Sequence, residues 1–169
     1  VFNGHGTQCC VDFLRGGTGD GFVEENVEFA RKQIKNIKWN HDVGFMIYCS
    51  FGNGLRLTGD PEYKEVIVEA ARSLSTRFRP VAGIIQSWDV DRGWISERGW
   101  ECPVIIDNMM NLELLFAATR LSGDSTFYKV AVSHVDRTMK EQYRPDGSCY
   151  HVVDYSMKDG SVRLSLIHI

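Results

Sequence analysis

Long apolar runs are missing from this sequence, and so are CxxC pairs and blocks of basic residues. No stretch approaches the roughly 20 apolar residues that a bilayer-spanning helix needs, and no basic opening leads into an apolar core as a secretory leader would. The chain begins at Val1 rather than methionine, so a leader ahead of it is left open. Its five cysteines (Cys9, Cys10, Cys49, Cys102, Cys149) are odd in number and have no paired spacing. That argues against a zinc ligand set or a disulfide framework, and reduced, buried, small side chains are expected instead. A net charge of -3, from 19 basic and 22 acidic residues without a basic block, points away from nucleic acid and anionic membranes as partners. With 43% hydrophobic and 24% charged residues, disorder is excluded and a globular domain expected.

What is present is a repeat. Thr58-Gly59-Asp60 precedes PEYKEVIVEAARSLSTRF, with Pro61 suited to a first helical position, and Ser122-Gly123-Asp124 precedes STFYKVAVSHVDRTMKEQY. A third copy of the signal, Thr18-Gly19-Asp20, opens an amphipathic stretch to residue 39 in which Phe22, Val23, Val27, Ala30, Ile34 and Ile37 share a face. The units around 58 to 60 and 122 to 124 correspond further. Arg56-Leu57 matches Arg120-Leu121, and Arg79-Pro80 matches Arg144-Pro145, at an offset of 64 to 65 residues. Each has an apolar helix before its Gly-Asp turn, roughly 43 to 57 and 108 to 121. The first carries Gly44, Gly52 and Gly54, each costing about 1 kcal/mol against alanine in a helix, so close packing or ligand approach must compensate. Residues 1 to 17 show no period.

Two loops separate these units. Residues 81 to 103 hold Trp88, Trp94 and Trp100 among polar residues, a composition that suits binding or packing over the domain. Residues 146 to 162 and beyond suggest a strand pair, Tyr150 to Tyr155 and Ser161 to Leu166, turning at Lys158-Asp159-Gly160.

If repeated hairpins keep one orientation, their inner helices start at one rim. Asp42, beside His41, and Asp107, within PVIIDNMMNLELLF, stand at equivalent helix starts. Either alone reads as a helix cap. Together, in different surroundings, they fit a general acid/base pair, with the apolar neighbours of Asp107 expected to raise its pKa. His151, in an aromatic loop, lies at the loop-bearing end; His134 reads as a surface or packing residue of an outer helix.

HDVGFMIYCSFGNGLRLTGD, IIDNMMNLELLFAAT and RPDGSCYHVVDY together resemble glycoside hydrolase family 88, the unsaturated glucuronyl hydrolases. The resemblance implies an all-α fold, the (α/α)6 barrel of six-hairpin glycosidases. It also implies removal of the non-reducing-end 4,5-unsaturated uronic acid from oligosaccharides that lyases release from glycosaminoglycans, in a bacterial cytoplasm or periplasm. The reaction hydrates a vinyl ether, so carboxylate spacing carries no stereochemical rule here. By similarity Asp107 is the general acid/base and Asp42 its essential partner, while His151, Trp88, His41 and Asn108 bind substrate. No metal or organic cofactor is implied; the partner is the unsaturated oligosaccharide, and the oligomeric state is open.

Six hairpins need about twice this length, judged from ordinary helices of about 11 to 12 residues. Residues 1 to 169 are therefore read as one catalytic domain in part, irregular or atypical at 1 to 17 and 164 to 169, an open portion of the barrel with little activity alone. The family's His-Gln-Gly stretch, which binds the uronate carboxylate, is not found. Two alternatives stand beside this reading: an unsaturated rhamnogalacturonyl hydrolase acting on pectin fragments, and a non-catalytic helical-repeat binding module in which both acids are caps.

Overall fold

The computed structural model describes residues 41 to 166 together with Glu28, Arg31 and Lys32, all three helical. The rest of the expected first helix, with its Asp20 cap, lies outside the described residues, as do residues 1 to 17. The first unit comprises helix α1 (Val43–Ile47), a π-helical turn (Tyr48–Gly52), α2 (Asn53–Thr58) and α3 (Pro61–Ser75). The second comprises a 3-10 turn (Ile106–Asn111), α4 (Leu112–Ser122) and α5 (Ser125–Glu141). The apolar helix expected from residue 108 therefore starts as a tighter turn and becomes α-helical only at Leu112.

The repeat is geometric as well as textual. Gly59 (φ 73°) and Gly123 (φ 77°) both end a helix in the left-handed region, where a side chain would be strained. Asp60 Oδ1 then accepts from Glu62 N at 2.9 Å, and Asp124 Oδ1 from Thr126 N at 2.8 Å. Thr58 and Ser122 complete the match, each hydroxyl accepting the next aspartate's N–H at 3.2 Å while donating to a carbonyl four residues back. One cap is used twice, with the same left-handed glycine and the same aspartate side-chain bond.

These helices close over a common core. Val66, Ile67, Ala70 and Leu74 of α3, Leu114, Leu115 and Ala118 of α4, and Ala131 of α5 are all fully buried. Burying each large member is worth about 1.5–3 kcal/mol. No helix among the described residues is long and apolar enough to cross a membrane.

Strands add a smaller layer at one end. β1 (Phe78–Arg79) and β2 (Ile84–Ile85) form a short hairpin, and β3 (Pro103–Ile105), β4 (Val152–Tyr155) and β5 (Val162–Leu166) an antiparallel sheet in that order. The expected 150s and 160s strand pair is present. Its far strand runs to Leu166, as Leu164 pairs with Asp154 and Leu166 with Val152. The carboxylate of buried Asp154 accepts from Glu101 N, Cys102 N and the Arg163 guanidinium, tying the tryptophan loop to the sheet. Of the cysteines expected to be buried, Cys102 is, its thiol pushed by burial to about 12, whereas Cys49 is exposed and Cys149 intermediate. Residues 9 and 10 lie outside the described residues.

Candidate active site

Strand β3 delivers the first acid. Its backbone is held by Ser87 Oγ, which accepts from Ile105 N, by Gln142 Nε2, which donates to Val104 O, and by Ile106 N, which donates to His151 O. The chain then enters the 3-10 turn with Asp107 in its first turn. The second acid, Asp42, stands just before α1 and makes no capping hydrogen bond. Neither carboxylate therefore serves the helix start that sequence alone suggested.

They meet at one imidazole. His41 Nε2 lies 3.1 Å from Asp42 Oδ1 and 3.3 Å from Asp107 Oδ1. With acceptors on both sides, the one proton that Nε2 can carry is shared between the two carboxylates or given to either. Side-chain exposure rises outward, from 5% at His41 through 25% at Asp42 to 47% at Asp107. The burial expected around Asp107 from its apolar neighbours is thus not found: Val104 and Ile105 turn inward, while the Asp107 carboxylate and the Met110 side chain face out. Burial instead pushes the Asp42 carboxyl up, opposed by the attraction of His41 and reinforced by the like charge of Asp107. The three groups also present one nitrogen and two oxygens within 4.8 Å of one another, a spacing that a cation could span.

A pair of amides fixes this geometry. Asn111 Oδ1 accepts from Phe45 N, in the first turn of α1, at 3.2 Å, and its Nδ2 donates to Asn108 Oδ1 at 2.8 Å. Asn108 Nδ2 donates in turn to Ile85 O at 2.6 Å. Both asparagines are fully buried, so the turn that carries Asp107 is fastened to the helix that follows Asp42. Gly44 makes that approach possible: a methyl group there would sit 2.5 Å from the Asn111 Cα. This is the close packing that its glycine required.

The structure redistributes the other expected residues. Asn108 has both ends of its amide bonded inside the protein, an arrangement suited to positioning the turn that carries Asp107. His41 is buried, with the two more exposed carboxylates on either side of its Nε2. Trp88 packs edge-on against His41 at 5.8 Å between ring centroids, half-exposed, where a sugar could reach it. His151 is half-buried, with its carbonyl bonded one residue before Asp107. His134 is fully buried, its Nδ1 accepting from Ile85 N at 3.0 Å, and burial lowers its pKa to about 4. Asn111 escaped the sequence reading, although two amides three residues apart in an apolar run were a visible signal.

No family model matches the chain. It is 47% identical over 155 residues to an unsaturated glucuronyl hydrolase of Formosa agariphila, across 89% of this chain and 38% of that protein. To an unsaturated chondroitin disaccharide hydrolase of Streptococcus pneumoniae it is 31% identical, across 72% and 29%. Among solved structures, an unsaturated glucuronyl hydrolase specific for heparin superposes with a TM-score of 0.72 at 37% identity, over 94% of this chain and 41% of the other. One from a Bacillus species, responsible for the degradation of glycosaminoglycan, gives 0.76 at 26%, over 96% and 43%. The chain thus spans less than half the length of each. The paired helices are part of an (α/α)6 barrel of the glycosidase type. Within that class, the chain belongs to the unsaturated glucuronyl hydrolases. Neither the pectin-directed reading nor the binding repeat is favoured by these relatives.

Proposed function

We propose that the protein carrying this sequence removes the 4,5-unsaturated uronic acid from the non-reducing end of lyase-generated glycosaminoglycan oligosaccharides by hydrating the C4=C5 vinyl ether. The observation that carries this reading is one imidazole within hydrogen-bonding reach of two carboxylates in unlike surroundings. Asp107, the outer acid, gives its proton to C4. Water adds its oxygen to C5 and returns a proton to Asp107, so the acid is restored. The hemiketal at C5 then opens and the aglycone departs. Asp42, half-buried, holds the sugar hydroxyls and, through His41, the orientation of Asp107. Trp88 offers the sugar an aromatic edge and His151 a polar contact at the same rim. Residues 1 to 169 supply one part of a single catalytic domain, working in a bacterial cytoplasm or periplasm.

The test is Asp107→Asn in the full-length protein, followed by the loss of ultraviolet absorbance from the double bond. General acid/base catalysis is worth about 10²- to 10⁴-fold, so turnover falls by that range while substrate binding persists. Unchanged turnover would refute the assignment. A parallel assay with a pectin-derived unsaturated disaccharide gives markedly slower turnover than the chondroitin-derived one.

A further inference from the structure

The tryptophan loop holds a cation, Arg98, that has no acidic partner among the described residues. The 3-10 helix Gly93–Arg98 places Trp94 and Arg98 on one short element, and Gly99 (φ 64°) turns the chain back to Trp100. The three indoles form one cluster: Trp88 to Trp94 is 5.7 Å, Trp94 to Trp100 6.1 Å and Trp88 to Trp100 6.4 Å between centroids. Across it lies the Arg98 guanidinium, 4.9 Å from the Trp94 ring centre and 5.1 Å from that of Trp100.

Several nearby charges are engaged with one another. Arg92 pairs with Asp91, and Glu101 pairs with Arg163 and accepts from Met157 N. Arg98 forms no ion pair among the described residues. Two indoles hold the exposed Arg98 side chain at their faces, and the N–H edge of a guanidinium is the part that grips an oxyanion through two parallel hydrogen bonds. A lone stabilising stack would not require this site, yet the cluster begins at the acid pair: Trp88 touches His41 at one end, and Trp94, 49% exposed, opens to solvent at the other.

We infer that Arg98, clamped on Trp94 and Trp100, takes a sulfate ester on the aglycone side of the bound oligosaccharide, with the open face of Trp94 stacking on the sugar that bears it. This rests on the hydrolase reading for its substrate, though not for its binding chemistry. The uronate that reacts must lie over Asp107. Arg98 stands beyond Trp88 and Trp94 from that point, so the anion it meets belongs to a later ring. Hexosamines of glycosaminoglycans carry sulfate esters there.

The experiment uses the full-length protein and two unsaturated chondroitin disaccharides, with and without one sulfate ester on the hexosamine. Arg98→Gln removes the charge and keeps much of the planar bulk. A charge-assisted pair supports about a tenfold rise in KM for the sulfated substrate, with kcat and the unsulfated substrate changed by about twofold at most. Arg98→Lys, a point charge without the fork, falls between. Equal losses on both substrates, or none on either, would overturn the proposal. Wild-type turnover of neither substrate would sink the hydrolase reading. Calorimetric titration with the sulfated disaccharide then decides Arg98 separately: about tenfold weaker binding in Arg98→Gln upholds it, and equal binding rejects it.

Discussion

Replacing Gly44 by alanine tests whether the two acids are aligned by backbone contact. In an exposed helix the change helps by about 0.5–1 kcal/mol, because glycine loses more freedom on folding. Here the new methyl group meets Asn111 Oδ1 at 2.4 Å and Asn111 Cα and Cβ at 2.5 Å. Rotating the amide aside leaves the backbone clash, so α1 and the 3-10 turn must part by about 1 Å to reach ordinary van der Waals separation. Overpacking of this kind costs about 1–3 kcal/mol, which outweighs the helical gain. The same movement draws Asp42 from Asp107, whose contacts to His41 at 3.1 and 3.3 Å have little slack. A misplacement near 1 Å costs about 10²-fold in rate. Urea unfolding and the double-bond absorbance assay on the full-length protein measure the two losses together. Gly52→Ala is the control, since the nearest atoms to its methyl belong to the ring of Tyr48, at 2.7 Å, a half-buried side chain that can swing away. If Gly44→Ala stabilises the protein and leaves kcat intact, the alignment argument is wrong.

Other outcomes follow from the charges. Because burial raises the Asp42 pKa, the folded protein binds more protons than the unfolded chain just above the ordinary aspartate range, and stability falls as pH rises through that window. Asp42→Asn should therefore flatten the fall, seen in urea midpoints from pH 4 to 7, and abolish turnover. A steeper fall in the variant would contradict the burial account. His134 works in the opposite direction: with its pKa lowered to about 4, stability is lost as pH drops from the unfolded value near 6.5. The shift corresponds to about 3 kcal/mol. His134→Gln should remove most of that acid-side slope. Finally, prolonged chelation with EDTA leaves the rate unchanged if the His41, Asp42 and Asp107 cluster moves protons, whereas loss and restoration of activity with an added divalent ion would assign it to metal.

Several features were legible in the residues themselves. The Gly-Asp turns at 59–60 and 123–124 announced a repeat because both need a left-handed glycine and a side-chain cap, and those are local requirements. The apolar periods of α3 and α5 gave outer helices for the same reason. The strand pair around Lys158-Asp159-Gly160 was readable from its turn. Other features were not local. Asp107 sits in an apolar string, but the 3-10 turn rotates its carboxylate outward while Asn108 and Asn111 point in, so the acid whose pKa burial raises is Asp42. The anchoring of Asn108 is equally non-local, since its amide donates to the Ile85 carbonyl 23 residues away.

By itself the sequence determined the helical hairpin, its repetition, and which two acids recur at equivalent starts, since caps, periods and offsets are properties of neighbouring residues. Only the tertiary structure decided how far apart those acids stand, which of them is shielded, and that His41 lies between them. Those quantities depend on contacts across 66 residues of chain, and such contacts form only when Gly44 lets one repeat close on the amides of the next.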